Sequence, residues 1–326
     1  MRLTVGQECS PLIEVDCGDN VWAVTFGANG KYLVSGGGGT LREWRVQDGK
    51  QLATTEAWEV RCVAVSKDSR WIAAGIKGVV VWDAKTHTKI FTVKEDHHTN
   101  GVDFSPDSTR LLIGSDNCTA AVWDIATRER VGQPLHHESP VRAAKYSPQG
   151  DRIATATRES IRIYDSNDDP LFVEIIVNVT PSYNTGLLWS KAHLFVISDN
   201  KVKKIDVSTG SVVSEWHGPG GNQFRRIALP THGEFIAHST SRTVTFWDTS
   251  THAQLGLIQH PEDILSMALS PDDRVIAIGG DGGKIAIKCL SRIIVSIVTC
   301  CIMAYPNNLL ASIIFSIPVS CLHPTF

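Results

Sequence analysis

Charge of either sign is missing from the end of this chain: residues 293–326 hold no Asp, Glu, Lys or Arg, and no glycine follows Gly283. Such a stretch lacks the polar turns and charged surface of the 288 residues before it, so it stands apart from them. Elsewhere the shortages are chemical. A formal net charge of −3 leaves no basic excess to draw the chain toward nucleic acid or an anionic membrane. The opening MRLTVGQECS has one Arg and no apolar run, so no secretory signal is expected. Cys9, Cys17, Cys62 and Cys118 lack the paired spacing of a zinc site or a disulfide framework, which predicts reduced thiols in the cytosol or nucleus. No Gly-x-Ser-x-Gly elbow is present. The run Gly36-Gly37-Gly38-Gly39 is followed by no Lys-Ser/Thr pair, so it reads as a turn between strands rather than a phosphate cradle. His97-His98 and His136-His137 fall at equivalent points of neighbouring segments and read as structural histidines ahead of a strand. Asp168-Asp169 and Asp272-Asp273 sit in turns, where solvated carboxylates are ordinary. With no nucleophile, base and oxyanion donor assembled, we expect no enzyme, no catalytic residue, no cofactor and no metal.

What the chain does have is a repeated ending. VWD occurs at 81–83 and 122–124, IYD at 163–165 and FWD at 246–248. In the register of the aromatic, the mark falls at Trp44, Trp82, Trp123, Tyr164, Ile205, Trp247 and Lys288, spaced by 38 and then by about 41 residues. Ahead of each mark an apolar run ends in a turn and a second run follows. Val102-Asp103-Phe104-Ser105-Pro106-Asp107 leads to Leu111-Leu112-Ile113-Gly114, and Ser147-Pro148 and Ser270-Pro271-Asp272 repeat the device. Alternation and β-branched residues between turn signals predict short strands. In Ser-Pro-Asp, the proline presets φ and the Asp can accept hydrogen bonds from the backbone just after it. No segment between repeats has the length or period of a crossover helix, which excludes a parallel α/β sheet.

These endings and turns resemble the WD40-repeat family of β-propellers over residues 20–288. The resemblance implies an all-β fold: a seven-bladed β-propeller of four-stranded antiparallel blades. Arg45 replaces the Asp after Trp44, Ile205 replaces an aromatic, and Lys288-Cys289 ends the last unit. The family's buried His/Ser/Asp/Trp network is therefore expected to be incomplete in most blades, leaving apolar packing to hold them. The outermost strand of each blade follows its mark, so the last blade needs a strand from elsewhere. Residues 11–15 lie at the right offset before the first inner strand, which predicts a ring closed by an N-terminal strand and free of exposed edges there.

This assignment makes residues 1–288 the propeller and 289–326 an uncharged hydrophobic tail outside it. The tail contains two apolar runs, 12 and 14 residues long, separated by Tyr305-Pro306-Asn307-Asn308. Each is short of the roughly 20 residues of a spanning helix. Membrane contact through 293–321, a loosely packed terminus and a gene-model artefact all stay open. The segment between Asp165 and Leu187 is expected to form a strand and a protruding loop.

In related propellers, side chains at the start of each inner strand gather at the mouth of the central channel. The corresponding residues here are Trp22, Arg61, Asn100, Arg142, Thr185, Arg225 and Leu265. Arg and Trp are enriched at binding hot spots, and a guanidinium matches paired carboxylate or phosphate oxygens. Trp22, Arg61, Asn100, Arg142 and Arg225 are thus candidate partner-binding residues for acidic or phosphorylated peptide segments, with no nucleic acid expected. The competing reading is a rim already neutralised by carboxylates such as Asp103 and Glu59. The resemblance implies a non-catalytic interaction scaffold, cytoplasmic or nuclear. A membrane-tethered adaptor anchored by the tail is the alternative.

Overall fold

The computed structural model describes residues 13–166, 172–175, 186–190, 193–198, 201–217, 226–228 and 233–290. Within them the chain forms strands and no helix. Strand β1 (Ile13–Asp16) is followed by a four-stranded antiparallel sheet of β2 (Ala23–Phe26), β3 (Tyr32–Gly36), β4 (Thr40–Arg45) and β5 (Gln51–Glu56). A six-stranded sheet comes next: β6 (Cys62–Val65), β7 (Trp71–Asp83), β8 (Lys89–Phe104), β9 (Arg110–Ser115), β10 (Thr119–Asp124) and β11 (Arg130–His136). Three four-stranded sheets follow. They are β12 (Ala143–Tyr146) to β15 (Phe172–Ile175), β16 (Gly186–Trp189) to β19 (Val212–His217), and β20 (Arg226–Ala228) to β23 (Gln254–Gln259). The last sheet contains β24 (Ile264–Leu269), β25 (Val275–Gly280) and β26 (Lys284–Cys289), with β1 on its outer edge.

The fold is an all-β propeller, but its sheets are five separate four-stranded blades and one six-stranded sheet, not the seven separate blades expected. The cause lies in β7 and β8. Residues 72–75 of β7 pair with β6, and residues 77–82 pair with β8. Residues 99–104 of β8 then pair with β9. β8 carries two pairings one after the other, whereas β7 folds back on itself, with the Ala84 amide donating to the Arg70 carbonyl at 2.8 Å. Gly78 makes this tight reversal possible: its φ is +82°, and a Cβ there would overlap the Val93 carbonyl oxygen. Only glycine tolerates both conditions.

The N-terminal strand closes the last blade. Ile13, Glu14, Val15 and Asp16 pair with Ile287, Ala286, Ile285 and Lys284. The described part of this strand covers 13–16, and residues 11–12 of the expected 11–15 lie outside the described residues. At the other end β26 reaches Cys289, and Leu290 is buried against Ile276 and Ile278. The tail beyond it, and the loop segments 167–171 and 176–185, also lie outside the described residues. The expected strand of that insertion is β15. No helix among the described residues is long and apolar enough to cross a membrane.

Alternation puts the apolar residues of consecutive repeats against each other. Val34 and Leu41 meet Val60, Ile72 and Trp82; Ala154 and Ile161 meet Leu187 and Leu194. Val15, Phe26 and Trp44 meet Ile285 and Ile287, joining first and last sheets. Each fully buried aliphatic side chain contributes about 1.5–3 kcal/mol.

The repeated Asp is a turn residue. The Asp83 carboxylate accepts from the amides of Lys85 and Thr86 at 3.0 and 2.9 Å, and Asp248 accepts from Ser250 and Thr251 at 2.8 and 2.6 Å. Where Arg45 stands instead, Asp48 accepts from the Lys50 amide at 3.1 Å. Ser105 and Asp107 brace the Ser-Pro-Asp turn, with Asp107 accepting from the Thr109 amide at 3.1 Å. Polar links inside the blades are partial. Trp44 Nε1 donates to Ser35 Oγ at 2.8 Å, and Trp247 Nε1 donates to Thr245 Oγ1 at 3.1 Å, whereas Trp123 Nε1 is buried without an acceptor.

Candidate protein-binding face

Among the described residues, the segments that carry Arg61, Asn100 and Arg142 meet the hairpin between β9 and β10 on one face of the propeller. Backbone pairing holds these entry segments in place. The Arg61 amide donates to the Gly75 carbonyl at 2.9 Å and the Arg142 amide to the Ala156 carbonyl at 2.8 Å. Their side chains therefore leave from fixed points next to the ladder.

Three of the residues expected at the rim come together on one carboxylate, Asp116. Arg142 Nη1 donates to Asp116 Oδ1 at 2.7 Å, and Arg61 Nη1 donates to Oδ2 at 3.3 Å. Asn100 Nδ2 donates to Asp116 Oδ1 at 2.7 Å and to the Val141 carbonyl at 3.1 Å, while its Oδ1 accepts from Arg61 at 3.3 Å. Arg142 and Asp116 have side chains 19% and 23% exposed, and Arg61 is open at 41%. A half-buried pair keeps more of its Coulomb attraction than a solvated one. One carboxylate shared by two guanidiniums leaves the cluster with an excess positive charge and Arg61 facing solvent.

His98 flanks this cluster, with Nε2 3.7 Å from Glu59 Oε2. Burial, and then the nearby Arg61 charge, lower the His98 pKa below its ordinary value. Its counterpart His137 bonds Thr155 Oγ1 at 3.3 Å, while His97 and His136 point to solvent. Among the described residues no group of His, Cys, Asp or Glu is arranged to hold a metal ion.

Of the two carboxylates named from the sequence, Glu59 stands beside His98 at the cluster, and Asp103 does other work. Asp103 receives Lys145 Nζ and the Tyr146 amide, both at 2.9 Å, and so links two blades. Asp116 was missed because it lies 55 residues from Arg61 and 26 from Arg142 in the chain. Its setting, Ser115-Asp116-Asn117, reads as an ordinary turn. Trp22 precedes β2 and is 41% exposed. Leu265 is buried in β24 rather than displayed. Arg225 and Thr185 lie outside the described residues.

Comparison with known proteins agrees with this architecture. The family model described as "WD domain, G-beta repeat" matches residues 10–45, 49–83, 87–124, 129–165 and 253–287. The U3 small nucleolar RNA-associated protein 15 homolog of Xenopus tropicalis is 24% identical over 234 residues, covering 70% of this chain and 45% of that protein. The pre-rRNA-processing protein crb3/ipi3 of Schizosaccharomyces pombe is 26% identical over 187 residues, covering 56% of this chain and 36% of its own. The chain thus spans less than half the length of these relatives. The crystal structure of the RRP9 WD40 repeats superposes with a TM-score of 0.76 at 15% identity, over 87% of this chain and 99% of that one. At that identity the likeness speaks for the fold alone.

Proposed function

The chain belongs to the WD40 family of G-beta repeats, and from that premise we propose that it is a non-catalytic scaffold that binds partner proteins on the face carrying Arg61, Asn100 and Arg142. Members of this family are generally scaffolds that bind other proteins. A ring of short strands offers a rigid surface edged by variable turns, which suits recognition of extended segments. The observation that carries the reading is the Asp116 cluster: two guanidiniums and an amide are held in place before any partner arrives. Pre-organisation lowers the entropy lost on binding. With the excess charge positive and Arg61 exposed, an acidic or phosphorylated segment is the fitting partner. Trp22 and Arg225 are carried with this rim as further binding residues.

Apolar clusters straddling consecutive repeats support reading the six-stranded sheet as two blades, one of β6, the two arms of β7 and the first part of β8, the other of the rest of β8 with β9, β10 and β11, which makes a ring of seven. The names of the relatives speak of small nucleolar RNA and pre-rRNA processing, so we place the scaffold in a nuclear RNA-associated assembly. Its direct contacts there are proteins.

Affinity purification of the full chain beside its Arg61→Gln/Arg142→Gln variant tests this reading, with circular dichroism confirming that both are folded. Partners captured by the parent and lost from the variant are the expected result. Identical partner sets would overturn the rim as the binding site.

A further inference from the structure

Gly36–Gly39, the glycine run that opens no phosphate loop, forms the floor of a second recognition site. Between β3 and β4 the chain turns over these glycines, and Val60, the Asn20 carbonyl and the Asp19 carboxylate take the space that a Cβ would need at Gly36, Gly37 and Gly38. A Cβ at Gly38 would overlap the Asp19 carboxylate, and one at Gly39 would lie 3.6 Å from the Trp58 ring. Asp19 therefore borders the flat turn on one side and Trp58 on the other. The backbone fastens Trp58 there: the amides of Ala57, Glu59 and Val60 donate to the carbonyls of Gly39, Gly38 and Gly37 at 3.1, 3.1 and 3.2 Å.

Trp58 is the most exposed large apolar side chain among the described residues, at 71%. A tryptophan so open, over a backbone held this firmly, presents a ring face to solvent. Its surroundings are acidic. Glu59 follows it directly with a side chain 62% exposed, Glu56 ends β5 opposite Thr40, and Asp19 is exposed across the turn. Arg42, on β4, is the cation nearest in sequence to the turn; it lines a small cavity with Asp19, Asn20 and Thr40. Arg61, two residues beyond Glu59, is drawn onto Asp116, and with it counted three carboxylates stand against two guanidiniums, which leaves the patch negative. Charge complementarity rejects an acidic occupant and selects a cationic one, and an indole face adds attraction for a guanidinium or ammonium.

We propose that Trp58, Glu59 and Asp19, set around the glycine turn of the first blade, form a docking site for a basic segment of a protein partner, with an arginine side chain laid over the indole. Asp19 and Glu59 take its N–H groups. The site shares no residue with the Asp116 cluster, and neither requires the other.

The test is fluorescence anisotropy of a fluorescein-labelled (Arg-Gly)5 peptide against the full chain. Saturable binding is expected, weakened tenfold or more by Trp58→Ala and several-fold by Asp19→Asn or Glu59→Gln. Gly38→Ala, which displaces the Asp19 carboxylate, should act like Asp19→Asn, and Trp58→Phe should keep most of the affinity. Val213→Ser, on the distant β19, should leave binding unchanged, and equal thermal midpoints exclude unfolding as the cause. No binding of the arginine peptide, equal binding of (Glu-Gly)5 or of a ten-nucleotide RNA, or indifference to Trp58→Ala and Asp19→Asn would each overturn the site. Arg61→Gln/Arg142→Gln should leave this peptide's binding intact, so the two sites stand or fall separately.

Discussion

Among single residues, Asp116 has the greatest leverage on the candidate face. It is 23% exposed and holds Arg142, Asn100 and Arg61 at once, so its removal strands a half-buried guanidinium. Asp116→Ala should cost about 1–3 kcal/mol, the range for hydrogen bonds to charged groups, read as a lower urea midpoint. Partner binding should fall as well, because the arginines lose their fixed positions. Two buried histidines give the fold a pH dependence. Burial lowers His137 to about 4 and His238 to about 4. His238 Nε2 lies 3.0 Å from Thr245 Oγ1, inside the blade. Both are neutral in the folded state, whereas an unfolded histidine titrates near 6.5. The unfolded chain therefore takes up protons first. Stability is complete above pH about 6.5 and is lost as pH falls toward 4, by on the order of 3 kcal/mol per histidine. Urea midpoints at pH 7.5, 5.5 and 4.5 should decline in that order, and His137→Gln should make the decline shallower.

At the level of elements, the repeat behaves differently in its second occurrence. Ser66 to Trp82 spans 16 positions, against 18 for Ser105 to Trp123 (82−66 and 123−105). The two missing residues come out of the hairpin, and β7 turns back at once where β9 and β10 are separated by Asp116-Asn117-Cys118. Gly78 alone absorbs the reversal. Gly78→Ala combines a positive φ with overlap on the Val93 carbonyl, and should cost roughly 2 kcal/mol or more. Thermal melting checks this, and a midpoint within a degree of the parent would contradict it. The shortening was legible as a spacing of 38 instead of 41, but its consequence was not. A spacing does not say whether a turn is lost or a strand is lengthened.

For the whole molecule, closure is the dominant constraint. β1 comes from one end of the chain and β26 from near the other, and their pairing covers an edge that would otherwise be free. Leu290 is the last residue seen in the core. We take the propeller to be self-sufficient up to that point, so a chain ended after Leu290 should melt at the same temperature as the full chain in differential scanning fluorimetry. A large drop would mean that 291–326 contributes to the ring.

Strand periodicity, the turn chemistry of Ser-Pro-Asp and Asp-Thr, and the repeat interval are local properties, and local steric and hydrogen-bonding rules act within a few residues. From them the sequence by itself determined the all-β fold. The propeller architecture, the closing strand expected at 11–15 and the common placement of Arg61, Asn100 and Arg142 followed from the resemblance to a repeat family, because equivalent positions of a repeat occupy equivalent points on a ring. Only the tertiary structure decided that Asp116 joins them, that β8 runs from one repeat into the next, and that Trp58 and Asp19 flank the same glycine turn. Those facts depend on contacts between segments distant in the chain. Such contacts are set by how neighbouring blades pack, which no local pattern encodes.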